Sequence, residues 1–187
     1  ILLYGLQSWV PTMLLRVYEW DLIQSGRIYG LIAMFAGSAG VLSGPFVLNL
    51  MNKNNIDAPH FKLAIFGISM ASLSLVLLPF QANVNIALIF VTLASFFVTL
   101  PLAGTSSAMV IVSPNRIRGV ITGIYVVVTS VFGLVLGPFL VASSTDFIFQ
   151  DPNAVAKSLA LVSVLIGPVG IFFMLKGVHA FGEMKNV

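Results

Sequence analysis

The sequence predicts an all-α membrane protein with six transmembrane helices. Of its 187 residues, 58% are hydrophobic and 8% are charged, and the mean hydropathy is +1.05. Soluble domains carry about 25% charged residues, so lipid is the expected solvent. The apolar stretches also lack the alternation of apolar and polar positions, broken by regular turns, that is typical of a β-barrel. Helices are therefore the expected spanning elements.

Six apolar windows reach or approach the roughly 20 residues that a helix needs to cross a hydrocarbon core of about 30 Å. They cover residues 1–17, 29–51, 63–80, 86–112, 120–142 and 159–175. The first window begins at Ile1 with no initiator methionine, which favours a chain that is half of a larger membrane protein. It also lacks the basic leader and the cleavage site of a signal peptide. No linker separates a second domain, so residues 1–187 are expected to form one unit.

The positions of lysine and arginine predict the orientation in the membrane. The loops after the second and fourth windows and the C-terminal tail hold six of the nine basic residues: Lys53, Lys62, Arg116, Arg118, Lys176 and Lys185. The opposite side holds the remaining basic residues and four acidic ones: Arg16, Arg27, Lys157, Glu19, Asp21, Asp146 and Asp151. Because short cytoplasmic loops are enriched in basic residues, the C-terminus is predicted to be cytoplasmic.

Several classes of function lack the residues that they need. No charged side chain or histidine lies near the middle of a window, so the chain has no obvious proton relay of its own. The sequence contains no cysteine, which excludes disulfides and thiolate metal sites. The serine-hydrolase, zinc-protease and nucleotide-binding motifs are missing as well. We therefore expect neither an enzyme nor a bound cofactor or metal, and no basic stripe predicts a nucleic-acid partner.

Prolines and glycines recur inside the predicted helices. Prolines there remove a backbone donor and bend the helix, and glycines at four-residue spacing let two helices approach closely. Static tight packing is the plainer interpretation of each glycine, whereas bent helices also favour a protein that encloses a cavity or changes shape. The positions concerned are Pro11, Pro45, Pro101, Pro138 and Pro168, with Ala33, Gly37, Gly40 and Gly44 in the second window and Gly119, Gly123, Gly133 and Gly137 in the fifth.

Polar side chains form two stripes, which predict a shared water-filled face. Thr92, Ser95, Thr99 and Ser106 share one face of the fourth helix, and Thr122, Tyr125 and Thr129 share one face of the fifth. Any single hydroxyl can instead bond a carbonyl one turn back in its own helix. The Gln7 amide cannot be satisfied in that way and needs a neighbour, water or substrate. The candidate ligand contacts are Tyr4, Gln7, Thr99, Ser106, Tyr125 and Thr129.

Two segments carry a resemblance to the major facilitator superfamily. Residues 113–119 (Ser-Pro-Asn-Arg-Ile-Arg-Gly) and 133–138 (Gly-Leu-Val-Leu-Gly-Pro) resemble the loop before the eleventh helix and that helix itself. Residues 7–12 (Gln-Ser-Trp-Val-Pro-Thr) and 145–147 (Thr-Asp-Phe) are most similar to the Spinster-like branch. The resemblance covers essentially the whole chain and matches it to the C-terminal six-helix half of a twelve-helix transporter. It implies that an N-terminal six-helix half is missing from this chain.

The resemblance implies a secondary active transporter that moves an organic or amphipathic small molecule by alternating access, in the bacterial inner membrane. Its partners would be the substrate, the lipid bilayer and the other half. The implied gating residues on the inner side are Asn49, Arg116 and Arg118. On the outer side, Arg16 belongs to a charged cluster at the first external turn, for which a solvated loop is the plainer interpretation and an outer gate the sharper hypothesis. Asn49 and Leu50 stand where the superfamily tends to have an Asp-Arg pair, so a charged latch is in doubt. The alternatives are a six-helix scaffold without transport and a homodimer of six-helix units.

Overall fold

A computed structural model describes residues 1–102, 104 and 117–185, with side chains as far as residue 178. These residues form helices and connections, with no strand in the described ranges. The helices are α1 (Leu2–Val17), α2 (Leu22–Lys53), α3 (Pro59–Phe80), α4 (Val84–Thr99), α5 (Arg118–Phe149) and α6 (Val155–Lys185).

Within the described ranges, four helices are long and apolar enough to cross a membrane. They are α2, α3, α5 and the Val155–Val178 part of α6. At 1.5 Å per residue, the 16-residue helices α1 and α4 reach only about 24 Å, short of a core of about 30 Å. The described residues are therefore all-helical and include four candidate spans, whereas six spans remain a prediction.

The observed boundaries extend several predicted windows. α2 begins at Leu22 rather than residue 29 because the Asp21 carboxylate accepts a hydrogen bond from Ile23 N (3.3 Å) and caps the first turn. α5 continues to Phe149, so the expected loop over residues 143–158 is mostly helix. His60, which precedes the third predicted window, lies in the first turn of α3, where its Nδ1 is 3.1 Å from Gly104 O.

The hydrophobic core surrounds the second half of α1. α3 packs along α4 and α6, and α2 packs along α4. α1 has larger interfaces with α2, α4, α5 and α6. Side chains from α1, α3, α4, α5 and α6 meet in the main cluster, which contains Leu6, Val10, Met13, Leu14, Leu75, Val91, Val141, Leu159 and Val162. A smaller cluster of Leu48, Leu63 and Leu100 joins α2, α3 and α4.

Three segments have π-helical hydrogen bonding. They are Ala33–Gly37 in α2, and Val131–Val135 and Ser144–Phe149 in α5. A π-helical turn inserts one extra residue into a helix and is frequent at functional sites. The first segment divides α2 close to its contact with α4, so it determines which α2 residues face that helix.

Glycines permit close contacts at two helix interfaces. A Cβ atom on Gly40 of α2 would collide with Thr99 Oγ1 and Phe96 O of α4. A Cβ atom on Gly137 of α5 would lie 2.8 Å from Ile1 O and 3.1 Å from Gly5 N. These contacts fit the small-residue packing expected from the sequence. Gly119 and Gly123 do not take part, because their Cβ positions have no atom of a described residue within 4 Å.

A buried hydrogen bond joins α5 to α6. Thr145 Oγ1 lies 2.8 Å from Ser158 Oγ and 2.9 Å from Val141 O, and Thr145 is 1% exposed. We expect Thr145→Val to destabilise the protein, because Ser158 loses its interhelical partner. Double-mutant cycles in membrane helices give couplings of about 0.6 kcal/mol, with values up to about 1.7 kcal/mol. A cycle with Ser158→Ala, measured by thermal unfolding, should give a coupling in that range. Strict additivity would contradict the prediction.

A candidate binding cleft between α1, α2 and α4

A cleft of about 500 Å³ lies between the first half of α1, the middle of α2 and the end of α4. Most of its lining is aliphatic or glycine, and its polar side chains are Gln7, Ser38 and Thr99. Ligand sites commonly combine apolar walls with a few placed polar groups. The full lining is Leu3, Gln7, Ala33, Gly37, Ser38, Val41, Leu42, Thr99 and Leu102.

Gln7 is the exposed polar side chain on the α1 wall of this cleft. It makes no hydrogen bond to the described residues. An amide carries two donor hydrogens and an acceptor oxygen, which α1 cannot satisfy because its own backbone groups are paired within the helix. The Gln7 side chain is therefore available to a ligand or to water in the cleft.

Thr99 is the buried polar side chain on the α4 wall. Its Oγ1 lies 3.0 Å from Gly37 O in α2 and 3.0 Å from Ser95 O in its own helix. The first contact crosses from α4 to the last residue of the π-helical segment in α2. The structure thus brings two of the predicted site residues, Gln7 and Thr99, to one cleft, and it adds the Gly37 carbonyl.

Tyr125 lies on a second cleft of about 300 Å³, which is lined mainly by apolar side chains of α1, α3 and α6. Leu3 and Leu102 border both clefts, so the two adjoin. Tyr125 is half-buried, and its hydroxyl offers one polar group in these apolar surroundings. It therefore stands next to the Gln7 cleft but does not line it.

Tyr4 and Thr129 have local structural roles in the observed geometry. The Tyr4 ring fills the space at Gly133 on α5, where a Cβ atom would collide with it. The Thr129 hydroxyl donates to carbonyls of its own helix, with distances of 2.8 Å to Tyr125 O and 3.1 Å to Val126 O. Of the two polar stripes expected from the sequence, Thr99 lines the first described cleft and Tyr125 lines the second.

The three described gating residues, Arg16, Asn49 and Arg118, do not line the cleft. At the C-terminal end of α1, Arg16 Nη1 donates to Pro152 O at 3.4 Å. Tyr18 also donates to Gln81 O at 2.7 Å, and burial raises the pKa of this hydroxyl, so it stays a donor at neutral pH. These bonds join the helix connections at that end. Asn49 is exposed near the end of α2, and Arg118 is the half-buried first residue of α5. Ser106 and Arg116 lie outside the described residues.

Sequence reasoning missed two features around the clefts. Trp9 Nε1 donates to Pro138 O at 3.0 Å and so ties α1 to α5. Ser38 enters the first cleft directly after the π-helical segment of α2. Gly37 and Gly40 were the only hint of the π-helical segment in the sequence, because glycine tolerates a close helix contact. Their spacing, however, does not reveal that a turn contains an extra residue.

Comparisons with protein-family models, curated proteins and solved structures give no match to this chain. The likeness to the major facilitator superfamily therefore stays a prediction, carried by the loop and helix motifs of the sequence.

Proposed function

We propose that this chain is one half of a secondary active transporter of the major facilitator superfamily, most similar to the Spinster-like branch, which moves an organic or amphipathic small molecule by alternating access. The observation that carries the proposal is the cleft between α1, α2 and α4. Its walls are apolar, and Gln7 and Thr99 supply polar groups between helices of a membrane bundle. That lining suits a substrate with a large apolar part and few polar groups.

In this proposal, the second half would sit on the open side of the cleft. Leu42, which lines the cleft, is 77% exposed, and Phe35 and Phe46 on the same helix are 68% and 74% exposed. Transporters built from repeats hold their substrate near the midplane, between the two halves. A second six-helix half would complete the cavity. A native polypeptide of roughly twice the 20.0 kDa of this chain would fit that partner, since six more spans of ~20 residues and their loops are needed.

Alternating access requires helices that move as packed groups. The contacts of Tyr4 with Gly133 and of Gly137 with the start of α1 join α1 to α5 closely. Gly40 joins α2 to α4 in the same way. The cleft lies between α1, which belongs to the α1–α5 pair, and the α2–α4 pair. A small rotation of one pair relative to the other would therefore open or close the cleft. By the distribution of basic residues, the C-terminus lies in the cytoplasm, in keeping with a bacterial inner-membrane protein.

The proposal predicts that position 7 is reached by water from both sides of the membrane. We expect Gln7→Cys, in a background without other cysteines, to react with a membrane-impermeant maleimide in right-side-out and in inside-out vesicles. Thiols react as thiolates, which form in water and not in hydrocarbon. The chain itself contributes no cysteine, so labelling reports this one position.

Leu165→Cys is the matched control, because Leu165 is exposed on α6 and lines neither cleft. It should react at least about tenfold more slowly, since its thiol faces lipid. Equal rates at the two positions would contradict a water-filled cleft. Labelling of Gln7→Cys from one side alone would contradict alternating access and favour a static scaffold.

A further inference from the structure

The two halves of α5 are anchored to the bundle in different ways. In the C-terminal half, residues 136–149, Pro138 O accepts a hydrogen bond from Trp9 Nε1 of α1 at 3.0 Å. Thr145 Oγ1 in the same half lies 2.8 Å from Ser158 Oγ of α6, and Thr145 is buried. This half is therefore fixed against two neighbouring helices.

The N-terminal half of α5, Arg118–Ser130, contains no buried residue. Among the described residues, the larger interfaces of α5 with other helices begin only at Val131. The hydroxyls of Thr122 and Thr129 donate to carbonyls of α5 itself, so they do not tie this half to a neighbour. Segments with few buried contacts move at a low free-energy cost. The N-terminal half is thus the part of α5 that moves most easily.

The π-helical segment Val131–Val135 joins the two halves. Sharp bends in helices occur at prolines and at π-helical turns, and α5 has both at this place. Pro138 has no N–H, so the carbonyl of Leu134, four residues earlier, lacks its usual α-helical donor. The Tyr4 ring of α1 packs against Gly133 in the middle of the segment. The segment itself is therefore held in place, while its hydrogen bonding permits a bend.

We propose that Val131–Val135 is a hinge about which the N-terminal half of α5 bends, so that Tyr125 opens and closes the second cleft. Tyr125 lines this cleft together with side chains of α1, α3, α4 and α6. It lies eight residues from Gly133, or about 12 Å along the helix, so a bend of about 20° moves it by about 4 Å. The hinge follows from the packing of α5 and does not depend on the proposed transport function.

The experiment measures distances between nitroxide labels on the purified native protein by pulsed electron paramagnetic resonance, in detergent and without substrate. The labels are attached to cysteine pairs in a background without other cysteines. One pair links Ile124, in the N-terminal half of α5, to Leu73 of α3, and the other links Phe139, in the C-terminal half, to Leu73. Leu165 of α6 then replaces Leu73 as a second reference, so that movement in either direction is detected. All four side chains are exposed.

We expect the distances from Ile124 to be spread more widely than those from Phe139. Ile124 lies nine residues from Gly133, or about 13 Å along the helix, so a bend of about 20° adds up to about 4–5 Å to the spread. Phe139 lies beyond the hinge, on the half fixed against α1 and α6, and should give one narrow distribution from each reference. Narrow distributions at both positions would show that α5 does not bend. Equally broad ones would show that α5 moves as a whole, and either result would overturn the proposal.

Pro138→Ala locates the hinge. It restores the missing N–H donor, so it should narrow the Ile124 distributions to the width seen in the C-terminal half of α5. Pro168→Ala, which removes a proline from α6 instead, is the matched control and should leave the Ile124–Leu73 distribution broad. An unchanged width in Pro138→Ala, or equal narrowing in Pro168→Ala, would overturn the assignment. A rigid α5 with two-sided labelling at position 7 would overturn the hinge and keep the proposed function, and the reverse pattern would overturn the function alone.

Discussion

Gly40→Leu is expected to separate α2 from α4 and to destabilise the protein severely. The new Cβ atom would collide with the Phe96 carbonyl, a backbone atom that cannot rotate away, and the rest of the leucine would enter the space of Thr99. Overpacking costs typically about 1–3 kcal/mol and occasionally more. We expect a cost at the upper end, or about a 10 °C lower Tm.

The measurement is the Tm in detergent by tryptophan fluorescence, with Gly30→Leu as the matched control. Gly30 lies in the same helix, and its Cβ position has no atom of a described residue within 4 Å. Its replacement should change stability by no more than about 0.5 kcal/mol. Similar Tm values for the two variants would show that α2 and α4 do not pack as closely as the structure has them.

Gly137→Leu is expected to force α1 away from α5. Its Cβ atom would lie 2.8 Å from Ile1 O and 3.1 Å from Gly5 N, so both obstacles are backbone atoms. Moving α1 would also break the bond from Trp9 Nε1 to Pro138 O (3.0 Å) and disturb the core around Val141. We expect a cost of about 2–3 kcal/mol and a red shift of tryptophan emission, because the indole gains contact with water.

Gly123→Leu serves as the comparison on the same helix. The Cβ position of Gly123 has no atom of a described residue within 4 Å, so leucine there should leave both the Tm and the emission close to those of the unmodified protein. If Gly123→Leu were as damaging as Gly137→Leu, glycine in α5 would matter for the helix itself rather than for its contact with α1.

The sequence predicts the helical class because the hydropathy of a segment depends on its composition and not on how the helices pack together. It places a helix in each of the six windows, but not every end. The start of α2 carries Gln24 and Arg27, which lower the window hydropathy although the Asp21 cap begins the helix at Leu22. The length of a helix that leaves the apolar region is set by capping and packing, which hydropathy does not measure.

Pairing between helices was harder to predict than the helices themselves. The glycine pattern correctly marks Gly40 and Gly137 as close contacts, yet it marks Gly123 in the same way, and the Cβ position of Gly123 faces open space among the described residues. Small residues allow a close approach but do not choose the partner. Gln7 and Thr99 lie in different helices, and only the packing of α1, α2 and α4 brings them to one cleft.

The π-helical segment Ala33–Gly37 makes α2 intolerant of the deletion of one residue, although the hydrogen bonding of the helix alone would accept that deletion. A π-helical turn carries one residue more than an α-helical turn, so removing a residue there would restore an uninterrupted ladder. Each residue of an α-helix turns the chain by about 100°, and the whole remainder of α2 would therefore rotate by that angle. Gly40 would leave Thr99, and a larger side chain would take its place against α4. In this helix, the register of the side chains relative to α4 therefore keeps the cleft in place.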